Sequence, residues 1–272
     1  MSESIELPAS DRFSLQRVGA YVFGLANIAA GILDVIWRDF DAGHQPIDNL
    51  GIQIPHRAAF AIVAGIWLML AGAALLWRRS ARVGVLALAV FYFIFGLFSF
   101  PLLPALLHRY GFHIAIALGV PGVVLMQWIV VAGCLILYIF LTESSSRWHT
   151  KAQLIARVIF GLSGVLFGLA HFTNPSAPAQ MIPHWMPFSA SLWVAVSGSG
   201  FMLAGLSILC GVLDRLASLL LCLMLLIFEI ILVPLMFLYP HHHPAWGANA
   251  YSMTVFASVL LYAASLPRRD RT

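Results

Sequence analysis

The sequence predicts an all-α polytopic membrane protein with eight transmembrane helices arranged as two parallel four-helix repeats. Three observations predict it: an overwhelmingly apolar composition, a series of long apolar runs joined by short loops, and an ordered set of matches between the two halves. Hydrophobic residues make up 61% of the chain and charged residues 10%, with a mean hydropathy of +0.91, whereas a soluble domain carries about 25% charged residues. Runs of about 18 apolar residues or more are long enough to cross a hydrocarbon core roughly 30 Å thick. A backbone in lipid must satisfy its own hydrogen bonds, and these runs are too continuous for the alternation of a membrane barrel strand, so helices are the expected element.

The expected spans are 15–37, 58–77, 83–104, 118–141, 153–172, 190–212, 216–238 and 247–266. The segment 38–57 is rich in Asp, Gly and Pro, and 173–189 has four prolines and hardly a charge; both read as loops. Lys and Arg divide unevenly over alternate loops. One side collects Arg12, Arg17, Arg78, Arg79, Arg82, Arg147, Lys151, Arg157, Arg215, Arg268, Arg269 and Arg271, and the other has Arg38, Arg57 and Arg109. The excess of positive charge on the cytoplasmic side then puts both termini in the cytoplasm. The opening stretch carries Glu3, Glu6 and Asp11 and lacks a basic start before an apolar core, so no cleavable signal peptide is expected. The pI of 9.2 reflects basic residues at span ends, which argues against a nucleic-acid partner; the expected surroundings are the lipid bilayer. Cys134, Cys210 and Cys222 sit in apolar runs without paired spacing, which excludes a disulfide framework and a CxxC redox motif.

The two halves, 1–145 and 146–272, repeat each other. RVGAYVFGLANIAAGILD from Arg17 resembles RVIFGLSGVLFGLAH from Arg157, with Gly24 and Gly31 falling on Gly161 and Gly168 at an offset of 137. At an offset of 133, Leu70-Ala71-Gly72 matches Leu203-Ala204-Gly205, Arg82 matches Arg215, Phe95 matches Phe228, Pro101 matches Pro234 and His108 matches His241. Ile54-Pro55-His56 recurs as Ile182-Pro183-His184. Four spans per unit make both copies cross in the same direction, a parallel repeat, whereas many secondary transporters use inverted ones.

The second half resembles the DoxX family of small four-helix membrane proteins. The matching features are a glycine-spaced helix ending in Gly168-Leu169-Ala170-His171-Phe172, a Pro-rich loop, a helix with Gly198 and Leu203-Ala204-Gly205-Leu206, and the turn Leu213-Asp214-Arg215-Leu216-Ala217. The first half keeps the glycines and Arg82 but has Asp34 in place of His171, making it the divergent copy. The resemblance implies a bacterial inner-membrane protein linked to oxidoreductase systems near the quinone pool, with redox proteins as partners.

Candidate chemistry concentrates on the outer side. His44, His56, His108, His113, His171, His184, His241, His242 and His243 fall at or near it, and only His149 is cytoplasmic. Histidine is the commonest metal ligand and titrates near neutral pH; it is also amphipathic and at home at an interface. Glu229 lies about 14 residues, or roughly 20 Å, into the seventh span, where a charge costs about 2.5–3.5 kcal/mol on insertion scales. His171 ends the fifth span at a similar depth, so a Glu229–His171 hydrogen bond, direct or through one water, is expected as the catalytic pair. His184 and one of the run His241-His242-His243, taken as His241, complete a candidate metal set with His171 and Glu229. Such ligands suit a transition metal; haem ligation by His108 and His241 at span ends is a weaker match. Asp34 is expected to pair with Arg38 one turn on. The tryptophans, Trp246 among them, are expected to anchor span ends.

The leading reading is an integral-membrane oxidoreductase component handling a quinone or small redox substrate at a His/Glu site in the outer half of the second unit. The rival is a non-enzymatic transporter or partner-binding subunit. No phosphate-binding glycine loop, nucleophile elbow or Ser/His/Asp series is present in the sequence, which argues against nucleotide-driven and hydrolytic chemistry.

Overall fold

The computed structural model describes residues 10–41, 45, 54–142 and 146–267; His44, Arg268, Arg269 and Arg271 lie outside the described residues. Every regular element among the described residues is a helix. In chain order they are α1 (Ser10–Trp37), α2 (Arg57–Leu76), α3 (Ala81–Ser99), α4 (Leu102–Tyr110), α5 (Ile114–Thr142), α6 (Ser146–Thr173), α7 (Ser176–Ala179), α8 (Ala190–Cys210), α9 (Asp214–Leu238) and α10 (His243–Ser265).

Seven segments are helical, long and apolar enough to cross a membrane: Leu15–Trp37, Arg57–Leu76, Ala81–Tyr110, Ile116–Thr142, Arg147–Thr173, Ala190–Cys210 and Asp214–Leu238. The third is longer than the expected 83–104. Pro101 cannot donate a backbone hydrogen bond, so α3 stops at Ser99 and the chain restarts as α4. Leu102 of α4 is buried in a small cluster with Val120 and Val124 of α5. The eighth expected span corresponds to α10. At 23 residues α10 is long enough, but His243, Asn249, Ser252, Thr254 and Ser258 dilute its apolar character. It is also walled in, packing against α1, α5, α6 and α9, with 13 of its 23 residues buried. A helix shielded from lipid by its neighbours can carry polar side chains that a lipid-facing helix cannot.

The helices follow one another around a closed circuit. α1 packs on α2, α2 on α3, α3 on α5, α5 on α6, α6 on α8, α8 on α9 and α9 on α10, which returns to α1 and also meets α5. Glycines set the close approach of α1 to α2 and of α6 to α8. A Cβ at Gly31 of α1 would run into the Gly65 carbonyl oxygen of α2, and a Cβ at Gly168 of α6 would lie 2.6 Å from the Gly198 oxygen of α8. Cβ atoms at Gly72 and Gly205 would each fall 2.7 Å from a carbonyl oxygen, that of Gly24 and of Gly161 respectively. Small residues at such crossings let backbones approach closely, which supplies the dispersion contact that drives helix association in lipid. The large residues pointing away from these crossings, such as Leu70, Ile36, Leu203 and Ile230, are exposed, as expected of side chains whose solvent is acyl chain.

Candidate functional site

α9 begins at Asp214, after Leu213 turns the chain through a positive φ of 53°. Asp214 takes the backbone N–H of Arg215 on its carboxylate, 2.9 Å, and lies 3.6 Å from the Arg157 guanidinium of α6. This ties one end of α9 to α6. Farther along, within Leu225-Leu226-Ile227-Phe228, follows Glu229, which is 4% exposed. Neither of its carboxyl oxygens has a hydrogen-bond partner among the described residues. The Ser252 hydroxyl of α10 lies alongside the carboxyl, outside hydrogen-bond geometry.

Two further polar side chains flank Ser252 at three-residue steps, a spacing that keeps neighbours on one side of a helix. Asn249 is 8% exposed; its Nδ2 donates to the Ala245 carbonyl at 2.8 Å, while its Oδ1 is buried without a partner. Trp246 packs edge-on against Phe237 of α9, ring centroids 5.7 Å apart, and its Nε1 is likewise buried without a partner. Contacts to Glu229 and Phe237 thus turn this side of α10 toward α9. An unmade buried hydrogen bond costs about 1–3 kcal/mol. Four such atoms lie on the two neighbouring helices α9 and α10. Chemically, the site offers an N–H donor, an amide oxygen, a hydroxyl and a carboxyl within an aromatic and aliphatic wall.

The direct Glu229–His171 hydrogen bond expected from the sequence is not formed. His171 is buried, but its Nδ1 is engaged with the carbonyl of Phe167 one turn back, 2.8 Å. Its ring is wedged beside Phe167 and Phe201, at centroid distances of 5.5 and 5.4 Å, and its Cβ sits where a side chain at Gly198 would have to go. His171 thus serves the α6–α8 contact. The expected metal set of His171, His184, Glu229 and His241 is not assembled either. Among the described residues no three His, Cys, Asp or Glu side chains converge in a metal-binding group. The reason is placement: His184 and His241 are exposed in loops, while His171 and Glu229 are buried on helices. His243 stacks on Trp37, centroids 4.9 Å apart and 9° from parallel.

The first half, the divergent copy, holds a buried polar network. Asp34 does not pair with Arg38, because the helix ends at Trp37 and Arg38 takes a left-handed φ of 53° with its side chain exposed. Instead Asp34 accepts from the Gln45 side-chain amide at 2.6 Å and from the Asp41 backbone N–H at 3.3 Å. The same N–H donates to Gln45 Oε1 at 2.8 Å, and the Gln45 N–H donates back to the Asp41 carbonyl at 2.7 Å. Nearby, the Tyr92 hydroxyl donates to Asn27 Oδ1 at 2.7 Å and Asn27 Nδ2 to the Phe23 carbonyl at 2.8 Å. Asp34, Asp41, Gln45, Asn27 and Tyr92 are all at most 2% exposed. The Asp41 carboxylate occupies the space beside Gly247 of α10 that any larger residue would need. This network therefore fastens the chain leaving α1 onto the end of α1 and the start of α10.

Trp246, Asn249 and Ser252 do not stand out as a group in the sequence; Trp246, expected to anchor a span end, packs on Phe237. The available signal was their three-residue spacing within the least apolar of the expected spans. Residues 161–264 match the family described as "Domain of unknown function (DUF8561)", a stretch that contains Glu229, Trp246, Asn249 and Ser252. No curated protein and no solved structure matches the chain.

Proposed function

We propose that the protein is an integral-membrane oxidoreductase component of a bacterial inner membrane, handling a quinone or small redox substrate at the Glu229 site. In this reading the chain crosses eight times, as two tandem parallel four-helix units with both termini cytoplasmic. Support for the two units comes from the helix circuit. The contact order α1, α2, α3, α5 is repeated by α6, α8, α9, α10, and glycines matched by sequence offset make equivalent close approaches in each. The resemblance of the second half to DoxX-like proteins supports the redox assignment.

The observation that carries the reading is Glu229: a carboxyl 4% exposed, in an apolar helix, with no protein hydrogen bond. Ionisable residues inside membrane segments are expensive and are retained mainly where they move protons or hold ligands. Reduction or oxidation of a quinone takes up or releases protons along with electrons, and Glu229 is the group placed to exchange one. Trp246, Asn249 and Ser252 orient the head group, with Phe237 packed on Trp246. His171 enters only by fixing α8 against α6.

Quinone content of the purified protein tests the reading. Wild type, extracted with organic solvent after detergent purification, is expected to carry quinone in near-stoichiometric amount. Glu229→Gln is expected to elute as the same folded species with several-fold less quinone. Equal retention by both proteins, or no quinone in either, overturns the proposal.

A further inference from the structure

We infer that the exposed flank of α6 holds an anionic phospholipid, its phosphate on Arg147 and Lys151 and an acyl chain laid along Leu154, Ile155, Val158 and Leu162. The inference is independent of the Glu229 site. Residues three and four apart are neighbours on a helix surface, and these six follow one another at those steps. All six are exposed, whereas Ala152, Ala156 and Phe160 on the opposite side of the helix are buried. α6 packs against α5, α8 and α10, and the stripe lies on the side that the described helices leave uncovered. From Lys151 to Leu162 it runs roughly 16 Å at 1.5 Å per residue, about half of a hydrocarbon core roughly 30 Å thick. The stripe is therefore as deep as one monolayer. Beyond it Val165 and Leu166 are half-buried, and a Cβ at Gly122 of α5 would lie 3.7 Å from that of Leu166. The open surface ends where an acyl chain of that monolayer ends.

The charge at the head of the stripe sets which lipid fits. Among the described residues neither Arg147 nor Lys151 is ion-paired; Glu143 lies outside them. Lys151 Nζ sits 5.0 Å from the centroid of the Trp148 ring, and that ring is exposed. An amphipathic ring beside a long basic side chain is the arrangement expected at head-group depth. Cations in the first turns of a helix work against its dipole, so the pair does not serve helix stability. A phosphate does complement it, taking charge-assisted hydrogen bonds from the Arg147 guanidinium and the Lys151 ammonium. A zwitterionic lipid carries its own ammonium, which competes with both side chains; an anionic lipid carries none. The first unit has no sequence counterpart, because aligning Arg17 with Arg157 puts Leu7 and Asp11 opposite Arg147 and Lys151.

The test is photolabelling of the full-length protein in mixed-lipid nanodiscs with phosphatidylglycerol or phosphatidylcholine, each carrying a diazirine in its acyl chain, followed by peptide mapping. Each basic residue near an anionic head group strengthens binding about 5-fold, so the peptide spanning 147–162 is expected to take at least ~5-fold more label from phosphatidylglycerol than from phosphatidylcholine. Arg147→Gln with Lys151→Gln is expected to bring that ratio near unity while leaving the ratios on the other lipid-facing peptides unchanged. Lys151→Arg, which keeps the charge, is expected to keep the ratio. Both positions are exposed, so the double variant is expected to fold; if it does not purify, Lys151→Gln alone carries the test, with a fall of at least about 2-fold. Equal labelling of 147–162 by the two lipids in the wild type overturns the inference. So does a variant that leaves its ratio unchanged, or one that lowers the ratio equally on every helix, which would mean attraction by the charged surface at large.

Discussion

Glu229 sets a stability problem that the surrounding residues leave unsolved. Its two oxygens, Asn249 Oδ1 and Trp246 Nε1 are all buried without a partner among the described residues. Replacing a stranded polar group by an apolar one of similar size removes its desolvation penalty. Glu229→Leu is therefore expected to raise the stability of the detergent-solubilised protein by about 1–3 kcal/mol, read as a higher midpoint of thermal unfolding, while abolishing quinone retention. A lower midpoint would mean that Glu229 is structural. The opposite holds in the Asp34 and Asn27 network of the first half, where the polar groups are paired. Tyr92→Phe removes the donor to Asn27 and is expected to cost about 1–2 kcal/mol; Gln45→Leu strips Asp34 of its 2.6 Å partner and is expected to cost more. The sequence made Glu229 conspicuous, since a carboxyl in an apolar run stands out wherever it points. It could not reveal that His171 faces Phe201 and α8, because similar depth on two helices says nothing about the direction of either side chain. Gln45 escaped notice for a related reason: its partner Asp34 is 11 residues away, across the end of a helix.

At the scale of the helices, glycine and proline decide most of what is seen. The matched glycines noticed in sequence are those where α1 meets α2 and α6 meets α8. Gly31→Leu and Gly168→Leu are each expected to destabilise by about 1–3 kcal/mol or more, the usual cost of overpacking, because the obstruction is backbone and cannot swing away. Leu at Gly119, which has open space around it, is expected to be nearly neutral on the same unfolding assay and serves as the control. α10 is the helix that falls short of the apolar composition of the seven candidate spans. Its Thr254 and Ser258 hydroxyls donate to carbonyls one turn back, at 3.0 and 2.8 Å, so their polarity is satisfied within the helix. Its position among α1, α5, α6 and α9 buries 13 of its 23 residues. An average over residues cannot see this, since it does not know which neighbours will surround the helix.

For the whole molecule, the all-helical architecture was legible from composition and run length, and the internal matches pointed to the helix pairs that approach most closely. What could not be read was how the halves share elements. α10, from the second half, contacts α1 and α5 as well as α9, and the Asp41 carboxylate of the first half sits against Gly247 of the second. The halves are therefore expected to unfold together, in one transition, and residues 146–272 expressed alone are expected to be far less stable than the full chain, as judged by thermal unfolding in detergent. Cysteines placed at Arg79 and Arg147 should be protected from an impermeant thiol reagent in intact cells and one at Pro178 should be labelled; the reverse pattern would turn the Glu229 site toward the cytoplasm. The most direct measurement is photolabelling of the purified protein with an azido-quinone, followed by peptide mapping. The expected result is label concentrated on α9 and α10 between Phe228 and Phe256, suppressed by excess unlabelled quinone and by Glu229→Gln. Label spread over the lipid-exposed faces of many helices, and unchanged in the variant, would contradict a ligand site at Glu229.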